Sequence, residues 1–362
     1  MNDAPTWSSR KPPECEGCRL WDEPGPVWGD GPPDANLVFV GEGPAGTEIA
    51  LKHPFAGGAG RILNAILADA KVYRSNVRVE NVVCCRIPDD DADKFAGMEK
   101  AARHCVECFL EPRLKEMGPK VVVPLGGWAN WALTERCSRD ARGRPQIGQG
   151  IYGFRGFPYQ SPIYPFLIIP TIHPAALMRD QSMWAVVIAD VKRAATLARD
   201  GYVAPPEQFL VPTTPDEVEQ FLAAVEAAKA TVAVDIENPE DVLTIIGFGL
   251  ANGVALIIPF INDEEERYWR EPDELRVVQA VYRVLANPKV DKIVHFEQHD
   301  RFYLEQYGFE IAGRVWDTHV MHAILYPPLP HDLGFVGSVH TLRGEWKSMI
   351  PSWTGEQEEV DK

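Results

Sequence analysis

The sequence predicts two consecutive α/β domains, the first a parallel sheet with helices on both faces, the second a smaller mixed sheet. Three observations carry this expectation. Through the first 200 residues, short apolar runs alternate with helical stretches, the pattern of a covered parallel sheet. A Pro-rich, aperiodic stretch from Gly201 to Pro215 then interrupts it. Beyond the break, three strand-like runs follow one another with only turns between them, and 362 residues are more than one core usually organises.

Taken in order, the first-half strands are expected at 37–40, 77–83, 121–125 and 167–171, all rich in Val, Ile and Leu as strands buried on both faces are. Helical periodicity marks 61–70, 96–116 and 182–199. The interruption holds four prolines and ends in Thr213-Thr214-Pro215, which predicts a helix capped by Thr214 with Pro215 at its first position. The domain boundary is therefore placed near Ala204, giving domains 1–204 and 205–362. In the second, 231–237, 244–251 and 254–260 read as a meander, followed by a helix at 273–286 and a strand at 292–296; the tail 355–362 is acidic and expected to fray.

The formal charge is −16, unevenly spread: through Asp200 there are 24 basic and 24 acidic residues, leaving 12 basic against 28 acidic for the rest. A neutral first half is able to present a local basic groove to a phosphate backbone, because steering depends on where charge sits. No run approaches the roughly 18 to 20 apolar residues of a membrane span. The first 13 residues lack a basic stretch followed by an apolar one. A soluble, cytoplasmic protein without membrane contact is the expectation. Seven clustered cysteines in such a setting favour thiolate ligands over disulfides.

Cys15-Glu16-Gly17-Cys18 is a CxxC whose spacing lets two thiolates face one metal centre. Cys105 and Cys108 form a second pair, too distant for a zinc ribbon, which joins its pairs through about 15 to 20 residues. Cys137 and Cys84 read equally well as small buried hydrophobes.

Five stretches, ECEGCRLW, LVFVGEGPAGTE with HPFAGGAGRILN, NVVCCRIP, a cysteine leading into PKVVVPLG, and PTIHPAALMR, run in order over about 165 residues from Cys15 to Arg179. In this the first half resembles the family 4, iron–sulfur uracil-DNA glycosylases. The resemblance implies a three-layer α/β/α fold on a central four-stranded parallel sheet. It also implies a 4Fe–4S cluster held by Cys15, Cys18, Cys85 and Cys105, tying the N-terminal loop to a loop after the second strand. An acidic insertion, Asp89-Asp90-Asp91-Ala92-Asp93, departs from the family between Cys85 and Cys105.

Uracil excision requires a site that stabilises negative charge on the departing base and a pocket that reads an everted nucleotide. Gly41-Glu42-Gly43-Pro44 follows a strand and turns sharply, which would expose Glu42 at the sheet's carboxyl edge. The resemblance implies that Glu42 activates water, that Glu48 lies near uracil C5, and that Phe55 stacks on the base. Glu48 reads equally as a partner of a helix N-terminus. Asn81, late in the second strand, is expected to donate to O4 and accept from N3–H, the reverse of cytosine's pattern. In His173-Pro174-Ala175-Ala176-Leu177-Met178-Arg179, His173 would donate to O2, Leu177 or Met178 would wedge into the duplex, and Arg179 would hold a phosphate.

In the second half, Asp235-Ile236-Glu237 places two carboxylates on one face of a strand. With 294–300 and 316–321 it resembles the 3′–5′ exonuclease domain of family A DNA polymerases. That resemblance implies a partial RNase H-like mixed α/β fold, with Mg²⁺ or Mn²⁺ on Asp235, Glu237 and Asp300 and Asp317 not a ligand. Phe296 stands where relatives usually have Asn, and the family's final Tyr- or His-containing motif, due after Trp346-Lys347, is not matched around Asp361. Either the chain is the front of a longer polypeptide or this half is structural or DNA-guiding, and weak or absent exonuclease activity is expected. The leading function is excision of uracil from DNA in base excision repair, in a phage or bacterial setting and with a DNA polymerase as a partner in cis or in trans. The rivals are a non-catalytic uracil-DNA-binding module and a primary exonuclease.

Overall fold

The structure, a computed structural model, describes residues 11–140, 142, 144–148, 150–262 and 264–344. It divides into two compact units. The first runs to Val203 and is rejoined from Gly337 onward; the second spans Ala204–Val336. Among the described residues no helix is long and apolar enough to cross a membrane.

The first unit is built on β1 (Leu37–Gly41), β2 (Arg78–Asn81), β3 (Val121–Pro124), β6 (Tyr159–Gln160) and β7 (Leu167–Ile168), in the order β2-β1-β3-β7-β6. The four expected strands are parallel. A fifth, β6, adds antiparallel at the edge; two residues were too few to show an alternating pattern. All of β1 and β3 is buried, as their unbroken apolar runs require. Helices α1 (Gly46–Leu51), α2 (Gly58–Asp69), α3 (Met98–Cys105), α4 (Glu111–Met117), α5 (Gly127–Thr134) and α6 (Trp184–Asp200) surround the sheet, with a small hairpin of β4 (Ser138–Arg139) and β5 (Pro145–Gln146) at one side.

The single helix expected over 96–116 is interrupted: Val106–Leu110 is a π-helical turn between α3 and α4. Pro112 explains it, since a residue without an N–H cannot bond the carbonyl four positions back and the ladder must widen or break.

The second unit carries β8 (Gln208–Leu210), α7 (Pro215–Ala228), β9 (Val232–Glu237), β10 (Ile245–Gly249), β11 (Val254–Pro259), α8 (Glu271–Leu285), β12 (Lys292–Val294), α9 (Glu297–Gln306), β13 (Val315–Asp317) and α10 (Thr318–Leu325). The final helix, α11 (Leu333–His340), runs into the segment that rejoins the first unit. The six-stranded sheet has order β13-β12-β9-β10-β11-β8, with the meander antiparallel at its centre. Thr214 caps α7 as expected, its hydroxyl accepting from Glu217 N–H at 3.4 Å while Glu217 returns a carboxylate to Thr214 N–H at 3.2 Å. The expected linker holds β8, parallel to β11 and hidden from sequence reading by its prolines. The expectations that fall on 346–347 and 355–362 lie outside the described residues.

Candidate active site and cysteine centre

The carboxyl ends of β2, β1, β3 and β7 stand side by side, where open parallel sheets form their crevice. At the centre, Gly41 pairs in register with Asn81. A Cβ on Gly41 would lie 2.6 Å from Asn81 Oδ1 and 2.6 Å from Phe55 Cζ, so only glycine lets the carboxamide and the ring meet over this strand end. Asn81 is buried and Phe55 half-buried. Phe55 has φ +54°, unusual for a bulky side chain, and its carbonyl would stand 1.6 Å from a Cβ on Gly60, which makes that glycine obligatory as well.

Glu48 holds the two loops around Phe55 and Glu42 together. Its buried carboxylate accepts from Ala45 N–H at 3.1 Å and from Gly57 N–H at 3.0 Å, one oxygen each. The sequence offered a base-facing residue or a helix-start partner; the structure engages both oxygens with backbone, capping α1 and bracing the Phe55 loop.

Glu42 follows Gly41 and is half-buried, and its carboxylate accepts no hydrogen bond among the described residues. Burial first, then the charges of Asp93 and Asp91, push it up to about 7. Asp93 is fixed by Trp128 Nε1–H at 2.8 Å. The acidic insertion, which the sequence showed only as extra loop, thus has an electrostatic hold on the site.

His173 follows the end of β7, and a Cβ on Gly126, at φ +86° after β3, would sit 3.0 Å from His173 Cβ. Its Nδ1 accepts from Ala175 N–H at 3.2 Å, so the neutral ring carries its proton on Nε2, leaving that atom a donor. Desolvation pushes the imidazole down to about 4, which keeps it neutral at pH 7. The following turn reaches back toward the Phe55 loop: a Cβ on Gly58 would be 3.1 Å from Met178 Cε. Leu177 is 1% exposed and Met178 57%, so of the two proposed wedges only Met178 projects. Arg179 is exposed, with no side-chain hydrogen bond among the described residues. A cavity of about 570 Å³ beside the Phe55 loop is lined by His53, Phe55, Arg61, Asn64 and Arg74; Glu42, Asn81 and His173 do not form its wall.

Cys15, Cys85 and Cys105 are buried and Cys18 half-buried, all as free thiols. Burial, then the neighbouring thiols of Cys105, Cys85 and Cys18, push Cys15 up to about 12. Burial likewise pushes Cys85 up to about 11 against the ammonium of Lys11. Lys11 is anchored by three carbonyls, those of Leu20 at 2.5 Å, Trp21 at 2.6 Å and Glu23 at 2.7 Å. Cys105 is raised by its hydrogen bond with Cys84, then by burial. Among the described residues no three His, Cys, Asp or Glu side chains stand close enough to hold a single ion. Cys15 feels the charges of the other three, so these thiols lie near one another, and four cysteine thiolates are the ligand set of an iron–sulfur cluster.

In the second unit, Asp235 and Glu237 share the face of β9 opposite the core. Asp300 is buried and pushed up to about 6, by burial first and then by the charges of Asp235 and Asp317, against the hydrogen bond from His299. Its Oδ2 is buried without a hydrogen-bond partner among the described residues, the orphan expected where a cation belongs. Asp317 is occupied as the cap of α10, accepting from the N–H groups of Phe296, Glu297, His319 and Val320. Phe296 adopts φ +68°, a conformation that Asn tolerates and Phe does not favour.

Residues 28–196 match the uracil DNA glycosylase superfamily and residues 209–336 the 3′–5′ exonuclease family. The type-4 uracil-DNA glycosylase of Thermotoga maritima is 30% identical over 197 residues, covering 53% of this chain and 93% of that protein. The type-4 uracil-DNA glycosylase of Sulfurisphaera tokodaii is 26% identical over 189 residues, covering 51% and 80%. Among solved structures, Escherichia coli RNase D is 20% identical with a TM-score of 0.25, covering 32% of this chain and 28% of that one. On the Thermotoga match the chain belongs to the type-4 uracil-DNA glycosylase family, and a 3′–5′ exonuclease-family domain follows that half in the sequence.

Proposed function

We propose that this protein hydrolyses the N-glycosidic bond of deoxyuridine in DNA, releasing uracil and leaving an abasic site. The carrying observation is the junction at Gly41, where the Asn81 carboxamide and the Phe55 ring meet beside Glu42. An everted uracil stacks on Phe55, and Asn81 donates to O4 while accepting from N3–H, an arrangement that rejects cytosine. Neutral His173 offers Nε2–H to O2 as electrons collect on the base. Glu42, once ionised, orients water toward the sugar carbon. Met178 fills the space left in the duplex and Arg179 holds a phosphate. Cys15, Cys18, Cys85 and Cys105 hold an iron–sulfur cluster whose contribution is to tie the N-terminal loop to the loop after β2. Asp235, Glu237 and Asp300 are the ligands of a divalent cation that draws them together on binding, since unaided they do not stand close enough to hold one ion.

Incubation with a uracil-containing oligonucleotide followed by alkali is expected to break the strand at uracil. Binding without abasic sites would sink the hydrolase reading in favour of a recognition module. Purified protein is expected to be brown and to absorb near about 400 nm, with iron content falling when Cys85 is replaced by alanine. Metal-dependent degradation of single strands by the full chain is expected to be weak; robust Mn²⁺-dependent digestion would make the exonuclease primary.

Because Glu42 must be ionised to work, the rate is expected to fall about tenfold per pH unit below about 7. Asp93→Asn removes a charge that raises the Glu42 pKa, so the acid limb of the pH–rate profile should move to lower pH. A limb unmoved by that change would show that Asp93 does not act on Glu42.

A further inference from the structure

We propose that Ser338 is a positioning residue of the excision site, acting through Arg155, Asp190 and Thr171 on the strand end that carries His173. The proposal rests on the uracil-excision reading above.

Arg155 and Asp190 are 0% and 1% exposed, a fully buried ion pair within the first unit. Arg155 Nε donates to Asp190 Oδ2 at 2.9 Å and Nη2 to Oδ1, while Nη1 donates to Ser338 Oγ at 2.7 Å. Thr171 Oγ1 adds a third bond to Asp190, at 2.6 Å to Oδ2. Arg193 clamps the same returning segment, donating to the carbonyls of Ser338 and Val339, each at 2.5 Å. Gly156 permits the approach: a Cβ there would lie 2.8 Å from Asp190 Oδ1 and 2.9 Å from the Ser338 carbonyl.

The network ends at the site. Thr171 N–H donates to the Pro124 carbonyl and Gly126 N–H to the Thr171 carbonyl, both at 2.9 Å, which locks the ends of β3 and β7 together. Gly126 leaves room beside His173, since a Cβ there would lie 3.0 Å from His173 Cβ, and His173 lies two residues beyond Thr171. A buried ion pair with its hydrogen bonds satisfied is rigid, and loss of one partner is passed to the rest. Misplacement of a catalytic donor by about 1 Å costs on the order of 10²-fold in rate.

Full-length Ser338→Ala, Ser338→Thr, Thr171→Val and the Ser338→Ala/Thr171→Val double variant decide it by single-turnover uracil release, affinity for uracil-containing DNA and melting temperature. Thr214→Ala serves as the control. Ser338→Ala is expected to slow release about tenfold with affinity unchanged, Ser338→Thr to keep the rate, and the double variant to be no slower than Thr171→Val alone. In ¹⁵N-histidine spectra, Ser338→Ala should shift the His173 ring signals, assigned with His173→Gln, while Thr214→Ala should not. A wild-type rate and unshifted His173 signals in Ser338→Ala, or losses that multiply in the double variant, would overturn the coupling. If the wild type releases no uracil, the excision reading itself fails, and the His173 signals alone decide whether Ser338 acts on that ring.

Discussion

Replacing Asn81 or His173 by alanine is expected to cut single-turnover uracil release by about two to four orders of magnitude while the melting temperature stays near wild type. The two losses differ in kind. Asn81 sits at the end of β2 against Gly41, and on the proposed reading its carboxamide reads the base edge before any bond breaks. Its loss should weaken both uracil binding and rate, and Asn81→Asp should move preference toward cytosine, because a carboxylate that retains a proton donates and accepts in different places. On the same reading His173 contributes a donor whose value grows as charge collects on O2. Its ring is neutral, with the proton fixed on Nε2 by the Ala175 N–H, so His173→Ala should lower the rate with little change in affinity. Wild-type release rates in both variants would remove the basis of the site.

The largest stability effect is expected at Asp190. Asp190→Ala leaves Arg155 buried without its carboxylate and strips Thr171 of its acceptor, and breaking a buried pair from one side costs about 3–5 kcal/mol. For a unit of this size that corresponds to a drop in melting temperature on the order of 10 °C. Paired replacement by apolar residues of similar volume, Arg155→Met with Asp190→Leu, should recover much of the loss, because the cost lies in the uncompensated charge. Calorimetry of the single and paired variants measures both, and equal melting temperatures for Asp190→Ala and wild type would mean that the pair contributes nothing.

The parallel strands, the Thr214 cap and the residues at the strand ends were legible because each rests on a local pattern: an unbroken apolar run, a capping sequence, a Gly-Glu-Gly-Pro turn after a strand. What escaped was set by tertiary contact. Neither β6 nor β8 is long enough to show a period, and both exist because a neighbouring edge offers unpaired backbone. The bracing role of Glu48 depends on Gly57, nine residues on, which no spacing rule connects to it. Asp190 gave no signal beyond a charge in an amphipathic helix, since its partners lie on a loop and on a strand. Phe296 was visible as a departure, yet the left-handed backbone that makes it unusual came only with the structure.

The bond between Arg155 and Ser338 joins residues 183 positions apart. During synthesis, an early domain ordinarily matures on the ribosome while later ones are still being made. Here the guanidinium of Arg155 must wait until 183 further positions have been synthesised before its hydroxyl partner emerges, and such distant closure is slow. The portion synthesised first therefore reaches its finished form only after the unit 204–336 has been made, and a nascent chain stalled before Gly337 should display a glycosylase half still soft around β7.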